Sequence, residues 1–113
     1  MPNFEWTKEL PAEITLCDPE GIVLEMNDCS ARMFEKDGGR KLIGSNLLDC
    51  HPQPAREQLQ EMLKTQQTNI YTTERQGIRK LVFQSPWYQD GRYCGFIEIS
   101  FPLPAQMPHF VRD

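Results

Sequence analysis

The chain has 113 residues, a length typical of one domain that folds around its own core without disulfides or metal ions. Its formal net charge is −4, and its basic residues occur as isolated pairs such as Arg40-Lys41 instead of a stripe. Nucleic acid is therefore not an expected partner, because an acidic surface repels phosphate backbones.

The sequence also bears on location and on cysteine chemistry. It has no apolar run long enough to span a bilayer and no secretory leader after Met1, so we expect a cytoplasmic protein without a membrane partner. Its four cysteines include no Cys-x-x-Cys pair, so neither a zinc site nor a redox dithiol is expected.

The first quarter of the chain predicts a cap and a β-hairpin. Residues 1–11 form the cap, and its apolar side chains need cover from the domain or from a partner chain; they are Phe4, Trp6 and Leu10. Residues 13–17 and 22–26 are rich in strand formers and flank the sequence Asp-Pro-Glu-Gly. That turn chemistry predicts an antiparallel hairpin.

The middle of the chain predicts helices of increasing length. The oxygens of Asn27 and Asp28 cap a short helix that continues over residues 30–34, and Ser45 or Asn46 caps another over residues 47–50. A longer helix begins near residue 54 and ends near residue 67. Its apolar stripe consists of Ala55, Leu59, Met62 and Leu63.

The last third predicts strands over residues 69–75, 78–88 and 93–101, joined by Gln-Gly and Asp-Gly turns. The tail, residues 102–113, is too rich in proline for a central strand. The fold class is therefore α+β, with a five-stranded antiparallel sheet that joins the early hairpin to the late meander and is covered on one face by short helices.

Three stretches resemble the PAS family. They are ITLCDPEGIVLEMN at residues 14–27, LIGSNLLD at 42–49 and SPWYQDGRYCGF at 85–96. In order, they are similar to the opening hairpin followed by Asn, the Gly-x-Asn before the covering helices, and the final hairpin. The resemblance extends over residues 12–101, which form the core between the cap and the tail, and it implies the strand order 2-1-5-4-3.

The resemblance implies a signal-sensing module with a pocket between the sheet and the helices, often paired as a homodimer through the outer sheet face and the cap. We therefore expect Phe4, Trp6 and Leu10 at a dimer interface and a signalling protein as a further partner. The expected walls of the ligand pocket are Leu24, Met33, Phe34, Leu47, Leu48, His51, Leu59, Met62, Leu63, Phe83, Tyr93 and Ile97.

The identity of a cofactor stays open. Flavin-binding relatives form their adduct through a Cys directly after the Gly-x-Asn, whereas Leu47 follows it here, so a covalent flavin adduct is not expected. Haem would need an axial ligand, and His51 is the candidate. The favoured alternative is that His51 caps or hydrogen-bonds across the Pro52 turn.

Catalysis is not expected, because adjacent side chains such as Cys50 and His51 diverge and no third group orients them. Two hypotheses remain. The first is a sensor that binds a small molecule non-covalently, and it predicts a ligand by mass spectrometry or absorbance beyond the aromatic band. The second is a ligand-free module for dimerisation or partner docking, and it predicts a colourless dimer.

Overall fold

The computed structural model describes residues 5–113, apart from the side chain of Cys50. Five strands form one antiparallel sheet in the order β2-β1-β5-β4-β3, which confirms the predicted order. The strands are β1 Glu13–Cys17, β2 Val23–Met26, β3 Asn69–Arg75, β4 Ile78–Gln89 and β5 Arg92–Pro102.

The helices lie between the second and third strands in the sequence. They are α1 Asp28–Met33, α2 Leu47–Cys50 and α3 Ala55–Thr65, with 3₁₀ segments at Glu35–Asp37 and Gly39–Leu42. The predicted stripe of α3 packs onto the sheet, since Leu63 is buried together with Cys17 and Phe96. No helix in residues 5–113 is long and apolar enough to cross a membrane.

The side chain of Asn27 joins three parts of the fold. Its Oδ1 accepts hydrogen bonds from the backbone N–H groups of Ile14 in β1 and Ser30 in α1, each at 3.0 Å. Its Nδ2 donates to the carbonyls of Thr7 at 2.9 Å and Ala12 at 2.8 Å. Asn27 is only 5% exposed, so one buried amide holds the cap, the first strand and the first helix together.

The cap forms a turn that is fastened to α1. The carbonyl of Lys8 accepts from the backbone N–H of Asp28 at 2.9 Å. Leu10 is half-buried, whereas Trp6 is 72% exposed. Phe4, the third residue predicted at a dimer interface, lies outside the described residues.

The segment before α2 pairs with the outer side of β2. Val23 donates to the carbonyl of Ser45 at 2.9 Å and accepts from the N–H of Gly44 at 2.8 Å. Leu47 then donates to the carbonyl of Gly21 at 2.9 Å, and the Asn46 side chain caps α2 by accepting from Leu48 N at 2.9 Å. These bonds fix α2 at the end of the sheet.

The end of β1 lies against β5 at a position where only glycine fits. Gly95 has φ 128°, and a Cβ there would stand 1.9 Å from the carbonyl oxygen of Cys17. The same oxygen accepts from the indole Nε1 of Trp87 at 3.1 Å. This close approach brings Cys17 and Phe96 into one buried cluster.

Asn27→Asp keeps the acceptor oxygen but replaces the Nδ2 donor with an oxygen that faces two carbonyls. We expect it to lower the free energy of unfolding by about 2–4 kcal/mol, measured by urea denaturation. The matched control is Asn46→Asp, because Asn46 uses only its oxygen as a helix cap. We expect the control to change stability by less than about 0.5 kcal/mol, and equal losses in the two variants would contradict this role of Asn27.

Candidate functional site

The face of the sheet that meets the helices is unusually polar. Opposite residues of an antiparallel pair share a face, so the pairing of Thr15 with Glu98 and of Glu98 with Gln84 places all three on one side. By alternation, Cys17 and Phe96 lie on the same side nearer the end of β1. This helix-facing surface therefore carries a carboxylate, an amide and a hydroxyl beside apolar groups.

A cavity of about 550 Å³ lies between this surface and the helical layer. The side chains around it are mostly apolar, with a few polar groups that converge on the same space. It is lined by Thr15, Cys17, Val23, Met26, Phe34, Asp37, Leu42, Leu47, His51, Leu59, Met62, Gln84, Phe96, Ile97 and Glu98. Such a combination is typical of small-molecule sites.

Half of the predicted pocket walls border this cavity. They are Phe34, Leu47, His51, Leu59, Met62 and Ile97. Ile97 lies between Phe96 and Glu98 on β5, although strand alternation directs its side chain to the other face. The remaining six predicted walls do not line the cavity, for three different reasons.

The side chains of Leu24 and Phe83 do not face the cavity. Leu24 is an extra residue on β2, because its two neighbours, Val23 and Glu25, pair with consecutive residues of β1. Leu24 is 44% exposed, while Val23 and Met26 are buried and line the cavity. Phe83 pairs with Ile99 on the outer face.

Met33 belongs to a different part of the surface. It is 50% exposed and borders a smaller cavity of about 310 Å³ beside α1 and the ends of β1 and β5. The predicted helix was correct, but its last turn directs this side chain away from the larger cavity. Met33 is therefore not one of its walls.

Leu48, Leu63 and Tyr93 do not line the cavity but belong to the packing around it. Leu48 lies beside Gly21, with its Cγ 3.8 Å from where a Cβ would stand. Leu63 is buried in the cluster with Cys17 and Phe96, and the hydroxyl of Tyr93 donates to the carbonyl of Leu63 at 2.9 Å. Leu63 and Tyr93 thus fix α3 to the sheet, and none of the three residues lines the cavity.

Several residues that line the cavity were not predicted from the sequence, and polar residues are among them. Gln84 and Glu98 were overlooked because apolar residues were expected to face inward on β4 and β5. The signal was present in the Asp-Gly turn, since counting pairs back from it places Gln84 opposite Glu98. That count succeeds only if the irregularity between Trp87 and Tyr88 is known.

A directed chain of hydrogen bonds orients the polar groups. Asn69 Nδ2 donates to Gln84 Oε1 at 3.2 Å, and Gln84 Nε2 donates to Glu98 Oε1 at 2.7 Å. The carboxylate also affects its neighbours: burial, reinforced by the negative charge of Glu98, raises the pKa of Tyr71 on β3. The floor of the cavity therefore has a fixed negative end.

His51 is held by the helix that precedes it. Its ring Nδ1 is 2.6 Å from the carbonyl of Leu47, so Nδ1 carries the hydrogen and caps the C-terminal end of α2. This contact agrees with the interpretation of His51 as a cap. The other ring nitrogen, Nε2, stays available as an acceptor on a residue that lines the cavity.

Two observations limit the chemistry of the site. Burial raises the pKa of the Cys17 thiol, and the backbone hydrogen bond from Phe96 offsets only part of that shift, so this thiol is a poor nucleophile. Among the described side chains, which do not include that of Cys50, no three from His, Cys, Asp or Glu come together as a metal site.

Comparison with known proteins rests on structure alone, since no family model matches the sequence and no curated protein matches it. The PAS domain of BvgS from Bordetella pertussis superimposes with a TM-score of 0.63 at 17% identity, covering 88% of this chain and 82% of that one. The Aer2 receptor from Vibrio cholerae, a dual PAS-haem oxygen sensor, gives 0.57 at 16% identity, covering 82% and 95%. This chain has the PAS fold.

A third neighbour with the same architecture is part of a longer protein. The Vibrio cholerae VqmA dimer, from a study of LuxR-type receptors, matches with a TM-score of 0.64 at 16% identity. The match covers 92% of this chain but only 52% of that one. All three identities are low, so the PAS fold is what these likenesses share with this chain.

The raised pKa of Cys17 predicts a loss of stability in alkali. The folded protein favours the protonated thiol, so stability is unaffected below the ordinary value of 9.0 and falls as the pH rises from there through the raised folded value. Tyr71 and Tyr93, whose pKa values burial also raises, add to this loss above 10.0.

We expect the urea midpoint to fall as the pH rises above 9.0, and to fall less steeply in Cys17→Ala. Cys29→Ala is the matched control, because Cys29 is half-buried outside the cavity, and it should follow the wild-type slope. A Cys17→Ala slope as steep as that of the control would contradict the assignment.

Proposed function

We propose that this PAS domain is a sensor module that binds a small molecule non-covalently in the 550 Å³ cavity and acts through contacts with other proteins. The cavity itself carries the proposal. A space in the size range of ligand pockets, with apolar walls and a few oriented polar groups, favours an occupant.

Binding without catalysis is part of the proposal. His51 is tied to Leu47 through Nδ1, and the carboxylate of Glu98 accepts from Gln84, so neither is paired with a nucleophile. The neighbours named as a sensor and as a receptor make signal sensing the natural role for a ligand site on this fold.

Haem fits the cavity poorly. His51 could offer Nε2 as an axial ligand, as the sequence suggested, but the two propionates of a haem need cationic or polar partners. Among the described residues that line the cavity there is no Lys or Arg, and the charged ones are Asp37 and Glu98. The propionates and these two carboxylates are all negatively charged and would repel one another, so we propose an organic ligand without haem iron.

Native mass spectrometry of freshly purified protein tests the proposal. We expect an added mass that disappears under denaturing conditions. Leu59→Trp, which fills the cavity from α3, should reduce the bound fraction at least about tenfold, because bulk there competes with the ligand.

Gln60→Trp is the matched control, since the neighbouring Gln60 is exposed, and it should keep the added mass. A wild-type protein without a ligand, together with a Leu59→Trp variant that is more stable than wild type, would contradict the proposal. A Soret band would contradict the exclusion of haem.

The outer face of the sheet favours a second role as a docking surface. It presents apolar side chains on four strands, and the central row of paired residues is Ile14, Ile99, Phe83 and Ile70. Ile99 and Phe83 stay partly exposed, and Ile70 is 59% exposed. A face that carries its apolar residues away from the helices fits a second copy of the chain, as in the neighbour described as a dimer.

Ile99→Arg tests this homodimer, because it places a charge at the centre of the outer row without touching the cavity. We expect wild type to be a dimer and Ile99→Arg a monomer at micromolar concentration by light scattering, with unchanged circular dichroism. Ile43→Arg is the control, since Ile43 is exposed in the helical layer, and it should remain dimeric. A monomeric wild type would count against the homodimer.

A further inference from the structure

The proposed ligand site has a negative charge without a compensating cation. Two carboxylates of the sheet, those of Glu13 and Glu98, lie on the helix-facing side. Glu13 forms an ion pair with Lys80 at 2.9 Å and also accepts from the hydroxyl of Ser100. No Lys or Arg of the described residues pairs with Glu98, so the two acids are in different electrostatic situations.

The hydrogen-bond chain leaves Glu98 as an acceptor that points into the cavity. Gln84 satisfies only Oε1 of Glu98, and Asn69 fixes the direction of the Gln84 amide by donating to its oxygen. The second oxygen, Oε2, accepts no hydrogen bond from the described side chains. An oriented, half-buried carboxylate that lines a cavity is suited to a donor brought by a ligand.

The other side chains that line the cavity indicate the chemistry of the part of the ligand that does not contact Glu98. Besides the carboxylate, the cavity is lined by apolar and polarisable side chains, of which Met26, Phe34, Leu59 and Met62 are examples. Thioethers and aromatic rings pack well against flat aromatic bodies. Asp37 adds a second acid to the lining, so an anionic ligand would meet like charge at two places.

We propose that the cavity selects organic cations, and specifically an apolar or aromatic body with a protonated amine or amidine group that binds Glu98. This inference rests on the proposed ligand-binding function and adds the chemical class of the ligand. Gln84 acts as a positioning residue, because it holds the carboxylate in place through Oε1 while Oε2 binds the cation.

Three probes with the same indole ring test the charge preference. Tryptamine carries an ammonium group, tryptophol carries a hydroxyl and indole-3-acetate carries a carboxylate. We expect equilibrium dialysis to show tryptamine binding at least about tenfold more tightly than tryptophol, because only the ammonium group forms an ion pair with the carboxylate. Indole-3-acetate should bind most weakly.

Glu98→Gln is the decisive variant, since it keeps the shape and removes the charge. We expect it to lose the preference for tryptamine over tryptophol. Glu61→Gln changes the net charge by the same amount on the exposed side of α3 and should retain the preference for tryptamine.

The outcomes separate the two proposals. Equal binding of all three probes to the wild type would overturn the charge preference and leave the ligand site intact. Binding of none of them at millimolar concentration would overturn both. If Glu98→Gln fails to fold, Gln84→Ala in the same dialysis should weaken tryptamine more than tryptophol, and equal weakening would contradict the proposal.

Discussion

The amide of Asn27 is the contact on which the arrangement of the molecule depends. Among the side chains that the structure describes, it is the only one through which the cap, β1 and α1 meet. Because the amide is buried, every group that it satisfies would otherwise lose its hydrogen bond to water without replacement. The direction in which α1 leaves the hairpin follows from it, and with that the position of the helical layer over the sheet.

A sheet that is covered on one face is expected to carry apolar residues on that face and polar residues on the open one. At the centre of this sheet the arrangement is reversed. The covered face carries Thr15, Gln84 and Glu98, while the open face carries the row centred on Ile99. A polar covered face would be costly in a tightly filled core. Here it lines a cavity, where the cost is offset if a ligand or water supplies partners. The binding and docking proposals therefore come from a single pattern of alternation along β4 and β5.

The order of the helices and strands was predictable because short stretches of sequence determine where each one begins and ends. The Asp-Pro-Glu-Gly turn, the cap at Asn27 and the Asp-Gly turn each specify a boundary from a few neighbouring residues, and the structure places all three as predicted. Of the two candidates for the cap of α2, Ser45 and Asn46, the structure has Asn46. The stripe of α3 was predictable for the same reason, since it needs only helical spacing. The strand order followed from the resemblance to PAS domains and matches the observed sheet.

Only half of the predicted cavity walls were correct, because the face on which a strand residue lies depends on an exact count of residues along the strand. One extra residue in a strand exchanges its faces. Leu24 on β2 and Cys94 on β5 are such residues, since neither has a partner on the neighbouring strand β1 or β4. Nothing in the local sequence marks these extra residues. Leu24 and Phe83 were therefore assigned inward by their hydrophobicity, while Glu98 and Gln84, which form the polar end of the cavity, were assigned to no site.

The bonds between Val23 and residues 44–45 have a consequence for how the sheet can be extended. They occupy the outward N–H and C=O of Val23, the first residue of β2, so a foreign strand cannot pair with β2 there. The opposite edge, β3, is exposed over all seven of its residues. Strand addition by another protein is therefore favoured on the side where Asn69 begins the hydrogen-bond chain to Glu98.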